Sequence, residues 1–205
     1  NDFFKANQLK LNAKKTKMIC FSKKSAKVNP DQVKVILDGE QLKLKDATQF
    51  LGLTIDCFLN WEKQCINVAN KISQSNSVIN RVKKLLPPCS LKCLYDSFIQ
   101  SHLQYALPVW GGCSNPCKKR IVSIQKRAIR TITKSQFTAH TEPRMKLSKI
   151  LHFDDLWKHQ SLMLVHDCVN NTAPKEICNL INHEPQRSGP TLRSQNSKSQ
   201  NLVVP

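Results

Sequence analysis

The chain has 205 residues, 40% of them hydrophobic, which is enough for one sizeable core and too apolar for a disordered chain. Lys and Arg number 32 against 14 Asp and Glu, and the resulting charge of +18 strains a compact state by self-repulsion unless an anionic partner is near. Nucleic acid is the first partner class this points to and an anionic membrane surface the second, while a helical membrane span is excluded because no apolar run approaches about 20 residues.

Residues 1–12 read as the end of a helix, with Phe3, Phe4 and Leu11 as candidate buried positions. The segment Lys17–Ser22 reads as a strand, and a basic stretch from Lys23 to Lys27 follows, closed by Asn29-Pro30 as a turn. Residues 33–37 and 41–45 are two further strands on either side of Asp38-Gly39, the strongest hairpin signal in the chain. Phe50 to Ile55 is predicted to be one more strand, ending at Asp56.

From Asn60 the apolar period becomes helical. Asn60 caps a helix whose apolar side runs Trp61, Cys65, Val68, Ile72, Ile79 and Val82, until Pro87-Pro88 stops it. Ser90 is the expected cap of a second helix carrying Leu91, Leu94, Tyr95, Phe98 and His102, which ends before Pro108 and Gly111-Gly112. A third helix spans about 115–133, with Ile121, Ile124, Ala128 and Ile132 on one side. Its other side carries Lys118, Lys119, Lys126, Arg127 and Arg130, with Lys134 following. A fourth helix opens near Asp154-Asp155 and runs to about residue 170, and a short fifth follows Pro174.

Strands first and helices after predict an α+β chain with short antiparallel strands and a mostly α-helical bundle, not a βαβ repeat. The expected parts are 1–58, 59–183, and a flexible basic tail over 184–205. The chain begins at Asn1 without Met and reads as a piece of a longer one.

The nine Cys are odd in number and scattered, and no signal-peptide pattern precedes them, so a reduced intracellular compartment, nucleus and cytoplasm, is the expectation. Cys89-x3-Cys93 and Cys113-x3-Cys117 have the donors for a structural zinc site. The three-residue spacing is unusual for a ribbon and Cys93 fits an apolar helix face, so free thiols and no metal are expected. Trp61, Tyr105 and Trp110 lie on apolar faces, which favours core packing over stacking on bases.

Asn7-Gln-Leu-Lys-Leu-Asn12-Ala-Lys-Lys15-Thr16, followed at once by the strand to Phe21, resembles a stretch of non-LTR (LINE-class, jockey-like) retrotransposon reverse transcriptases known as motif D. Phe50-Leu51-Gly52, leading to Ile55-Asp56 and Leu59-x-Trp61, is similar to that family's motif E, the primer grip, running into the thumb. Leu94-Tyr95 through Tyr105 to Val109-Trp110-Gly111 resembles a thumb helix, and Ile124-Gln125-Lys-Arg127-Ala128-Ile-Arg130 a second. The tail from Leu192-Arg193-Ser194 to Leu202-Val-Val-Pro205 looks like a run found downstream of that thumb. The five stretches come in the family's order and span nearly the whole chain.

The resemblance implies distal palm strands followed by a helical thumb, with an RNA template and a DNA primer as partners alongside the rest of the reverse transcriptase chain. It implies a place near the nucleotide phosphates for Lys15, with Asn12 and Thr16 shaping its turn, and a primer grip at Phe50, Leu51 and Gly52. Lys118, Lys119, Lys126, Arg127, Arg130 and Lys134 are the expected contacts to the duplex backbone, which position it without reading sequence.

Such polymerases hold two metal ions on carboxylates. The family's aromatic-x-Asp-Asp turn falls before Asn1, so Mg²⁺ is expected only for the complete enzyme and this chain alone is expected to be inactive. Asp154-Asp155 is not that motif; acidic residues opening a helix are favoured by its dipole. Two other readings remain at this point: an inactive stand-alone nucleic-acid-binding module from a decayed element, and a zinc-stabilised interaction domain.

Overall fold

The computed structural model describes residues 2–12, 15–23, 33–37 and 39–182. The chain is α+β: among the described residues, two small antiparallel sheets come before most of the helices. Helix α1 (Asp2–Ala6) opens it. Phe3 is 71% exposed there and Phe4 and Leu11 are half-buried, so the expected burial of Phe3 is corrected: a five-residue helix offers no second turn to cover it.

The expected hairpin is present, although Asp38 lies outside the described residues. Strands β1 (Ile36–Leu37) and β2 (Glu40–Gln41) pair with Ile36 opposite Gln41 and Leu37 opposite Glu40. Gly39 has φ +81, which glycine adopts without steric cost. Both strands are shorter than the sequence suggests. The expected strand over Lys17–Ser22 is reduced to one parallel bridge, Met18 to Leu44. Its neighbours offer it single groups rather than an edge: Lys45 N–H donates to the Met18 carbonyl at 2.9 Å, and Ser22 N–H donates to that of Cys57 at 3.0 Å.

Phe50 to Ile55 is not one strand. Strands β3 (Ala47–Phe50) and β4 (Leu53–Asp56) form a second hairpin, and Leu51 and Gly52 are its two-residue turn, with φ of 46 and 82. A turn left-handed at both central positions matches the twist of paired strands. Gly52 fits it freely, whereas Leu51 in that conformation costs about 1–2 kcal/mol.

The loop after β4 is organised by Asp56, which is 5% exposed. Its carboxylate accepts from the N–H groups of Phe58 (3.0 Å), Asn60 (3.2 Å) and Trp61 (3.0 Å). Helix α2 (Glu62–Val82) then starts, and Asn60 Oδ1 accepts from Glu62 N–H at 3.0 Å. Its inner face is the expected one, with Cys65, Val68, Ile72 and Ile79 buried, joined by Gln64 and Asn76.

Ser90 is not a cap. Helix α3 (Pro88–Tyr95) begins at Pro88, whose missing N–H and fixed φ suit a first helical turn. A π-helical turn (Asp96–Gln100) and α4 (Ser101–Gln104) continue it. The buried positions are Leu91, Tyr95, Ile99 and Leu103, one every four residues. On an α-helix that spacing drifts by about 40° per step, and the wider turn takes up the drift. Phe98 is therefore exposed and His102 half-buried, where the simple period put both on the apolar side.

Helix α5 (Leu107–Trp110) leads to α6 (Asn115–Ile132), α7 (Glu142–Leu147), α8 (Phe153–Val169) and α9 (Lys175–Asn182). Asp154 and Asp155 lie in the first turn of α8, and α7 has no counterpart in the sequence reading. Compactness divides the chain between Leu162 and Met163, so the change from strand to helix near residue 58 lies inside the first unit. That unit's core is built where α2 packs on α6, with Tyr95, Trp110 and Phe153 as its largest fully buried side chains. In the second unit Cys168 and Cys178 are buried, and the Cys178 thiol donates to the Ala173 carbonyl at 3.4 Å. The tail over 184–205 lies outside the described residues.

Candidate nucleic-acid interface

Helix α6 carries six cations and no carboxylate. Its buried side is Cys117, Ile121, Gln125, Ala128, Ile129 and Ile132; Ile124, expected there, is only half-buried. Opposite this side, Lys119, Lys126 and Arg130 stand seven and four residues apart, so they fall within about 40° of one another in one seam. Along the axis the gaps are about 10.5 Å and 6 Å. Lys119 and Arg127 are exposed, as is Lys134, which follows the helix at φ 49.

Two members of the expected set have other contacts. The Lys118 ammonium sits 4.3 Å from the Trp157 ring centroid. Arg130 donates from Nε to the Ala139 carbonyl at 2.9 Å and lies 5.8 Å from the Phe137 ring. Among the described residues the Lys–carboxylate pairs are Lys92–Asp96 (2.6 Å) and Lys146–Glu142 (3.5 Å), and no α6 cation is in one.

A second surface lies between the β3–β4 hairpin and the outer flank of α2. It is a groove of about 250 Å³ lined by Gln49, Gly52, Thr54, Gln64, Asn67, Val68, Asn70, Lys71 and Gln74. Two of its amides are tied down: Gln64 Oε1 accepts from Thr54 N–H at 2.9 Å, and Asn67 donates to Thr54 Oγ1 at 2.8 Å. Amides present donors and acceptors to a polar ligand, and Lys71 is the one cation of the lining. Burial and Lys71 together lower the pKa of His102. Sequence reading missed this stripe, although Gln64, Asn67, Lys71 and Gln74 follow helical spacing three to four residues apart.

Of the candidate site residues read from the sequence, Gly52 alone lines the groove. Phe50 and Leu51 stand at the hairpin tip, 62% and 75% exposed, and are not part of a buried strand. Tyr105, expected in the core, is 52% exposed, while Trp110 is fully buried and Trp61 packs partly against the core. Asn12, Lys15 and Thr16 form one turn: the Asn12 carbonyl accepts from both later N–H groups at 3.0 Å, and Thr16 Oγ1 donates to it at 2.9 Å. Lys15 is exposed on that turn.

Of the four cysteines considered for zinc, Cys89 and Cys93 are exposed and Cys113 and Cys117 are buried. Cys113 instead interacts with Cys65. The interaction of the two thiols raises the pKa of Cys65, aided by burial, and lowers that of Cys113, aided by Lys118. Among the described residues no three His, Cys, Asp or Glu stand as a group able to hold a metal ion. No helix of the described chain is long and apolar enough to cross a membrane. Comparison with protein-family models, curated proteins and solved structures returns no match.

Proposed function

We propose that this chain is the distal palm and helical thumb of a non-LTR retrotransposon reverse transcriptase, and that its task is to hold an RNA–DNA hybrid by the backbone. The observation that carries the binding part is α6, an 18-residue helix with six cations, no carboxylate and, opposite its buried side, a seam of exposed Lys119 and half-buried Lys126 and Arg130. No α6 cation is paired with a carboxylate among the described residues, and their self-repulsion is relieved when phosphates replace solvent beside them. A duplex carries a charge every ~1.7 Å of axis, so a seam of about 16 Å meets several phosphates. The polymerase assignment rests on the order of the motif-like stretches. The amide-lined groove beside Gly52 adds polar contacts suited to a nucleic-acid strand.

Mg²⁺ belongs, by the same resemblance, to the complete enzyme. The part proposed for this chain is binding and orientation. The test is the salt dependence of hybrid binding in a variant with Lys119, Lys126 and Arg130 all replaced by Gln. Each lost phosphate contact lowers the log–log slope by about 0.9 on B-form DNA, so a fall of about two to three units is expected. An unchanged slope with unaltered circular dichroism would reduce the α6 face to a solvated surface.

A further inference from the structure

We infer that Tyr105 is a positioning residue, which locks the Leu51–Gly52 tip so that it presents a fixed edge beside the amide-lined groove. Leu51 occupies a left-handed turn position that its own side chain disfavours, yet that side chain is spent on solvent. An apolar residue that is both strained and exposed makes no sense as a folding element; it does as a contact surface held in place from outside. The hold is visible. The Tyr105 hydroxyl, 54 residues away in sequence, donates to the Leu51 carbonyl, in the turn between the paired strands. The Tyr105 ring lies over Gly52, where a Cβ would meet it at 3.5 Å, an ordinary van der Waals contact.

Tyr105 is itself fixed from below. The indole N–H of fully buried Trp110 donates to the Tyr105 carbonyl at 2.8 Å, and Ala106 turns the chain at φ 49 between them. A rigid line therefore runs from the core through Trp110 and Tyr105 to the hairpin tip. Gly52 belongs both to that tip and to the groove lining, so movement of the tip changes the groove. The ligand class, a nucleic-acid strand, rests on the proposed function; the lock itself does not.

The test is Tyr105→Phe, which keeps the ring and removes the hydroxyl. Amide hydrogen exchange at residues 51–54 should accelerate while α2 and α6 keep their protection. Affinity for a primed RNA–DNA hybrid should fall by about five-fold, the equivalent of one ordinary hydrogen bond. The salt slope should stay as in the wild type, because no cation has been removed. Unchanged exchange at 51–54, or faster exchange with unchanged affinity, would overturn the positioning role. A wild-type protein that does not bind the hybrid at all would instead defeat the nucleic-acid reading, and the exchange data tell these two failures apart.

Discussion

Replacing Gln125 by Leu keeps the bulk of a fully buried side chain and removes the amide that joins three segments of the core. Gln125 is 0% exposed. Its Nε2 donates to the Leu151 carbonyl at 2.9 Å and to the Tyr95 hydroxyl at 3.3 Å, and its Oε1 accepts from Phe153 N–H at 3.0 Å. Phe153 N–H opens α8 and has no partner within that helix, so the amide acts as a cap supplied by α6. The Leu variant leaves Phe153 N–H and the Tyr95 hydroxyl buried without partners, while the Leu151 carbonyl lies near enough to the surface to reach water. At roughly 1–3 kcal/mol for each of the two buried orphans, the loss should be about 2–6 kcal/mol. That is a large share of the roughly 5–15 kcal/mol typical of a domain. Urea denaturation followed by circular dichroism reads it as a lower midpoint at constant m-value. Adding Tyr95→Phe to the Leu variant removes one orphan and should recover about 1 kcal/mol. A loss under about 1 kcal/mol for Gln125→Leu would refute the cap, because solvent or local rearrangement would then be satisfying these groups.

Two further outcomes follow from the same core. Burial pushes the Tyr95 hydroxyl up to about 12 against the ordinary 10, with Gln125 pulling it down and Asp96 pushing it up. The neutral phenol is thus favoured by folding: its contribution is complete below pH 10 and is lost as pH rises from there through about 12. The chain has two Tyr, so an ultraviolet phenolate titration of Tyr95→Phe should lack the late step; its persistence would refute the assignment. Gly111→Ala places a Cβ 2.4 Å from Trp157 Cδ1 and 2.7 Å from the Leu107 carbonyl, and the backbone oxygen cannot step aside. A loss of about 1–3 kcal/mol in thermal or urea unfolding is expected, and a neutral effect would contradict the close packing of α5 on Trp157.

Legibility from sequence followed how local the cause was. The Asp38-Gly39 hairpin was readable because glycine at that turn is its own explanation. The cationic and buried faces of α6 were readable because a 3.6-residue period sorts them without outside help. The Leu51–Gly52 turn was not, since Leu disfavours that conformation and its support, Tyr105, comes from a distant helix end. The inward turn of Ile99 and Leu103 was hidden because the π-helical turn breaks the period that placed Phe98 and His102 inside. The burial of Gln125 was not read from the sequence; its partners Tyr95, Leu151 and Phe153 come from other segments, which no local pattern announces. Of the candidate site, the α6 cations were read directly, whereas the groove along α2 needed the β3–β4 hairpin folded over it to be seen.

The central claim is that this chain holds nucleic acid by its phosphates, and the affinity of the wild-type protein for a primed RNA–DNA hybrid across a series of salt concentrations tests it most directly. The expected result is a log-linear fall in affinity with a slope of about 2.7 or more, from three or more phosphate contacts, and the same affinity for hybrids of unrelated sequence. Binding that is absent at low salt, or that is indifferent to salt, would contradict it.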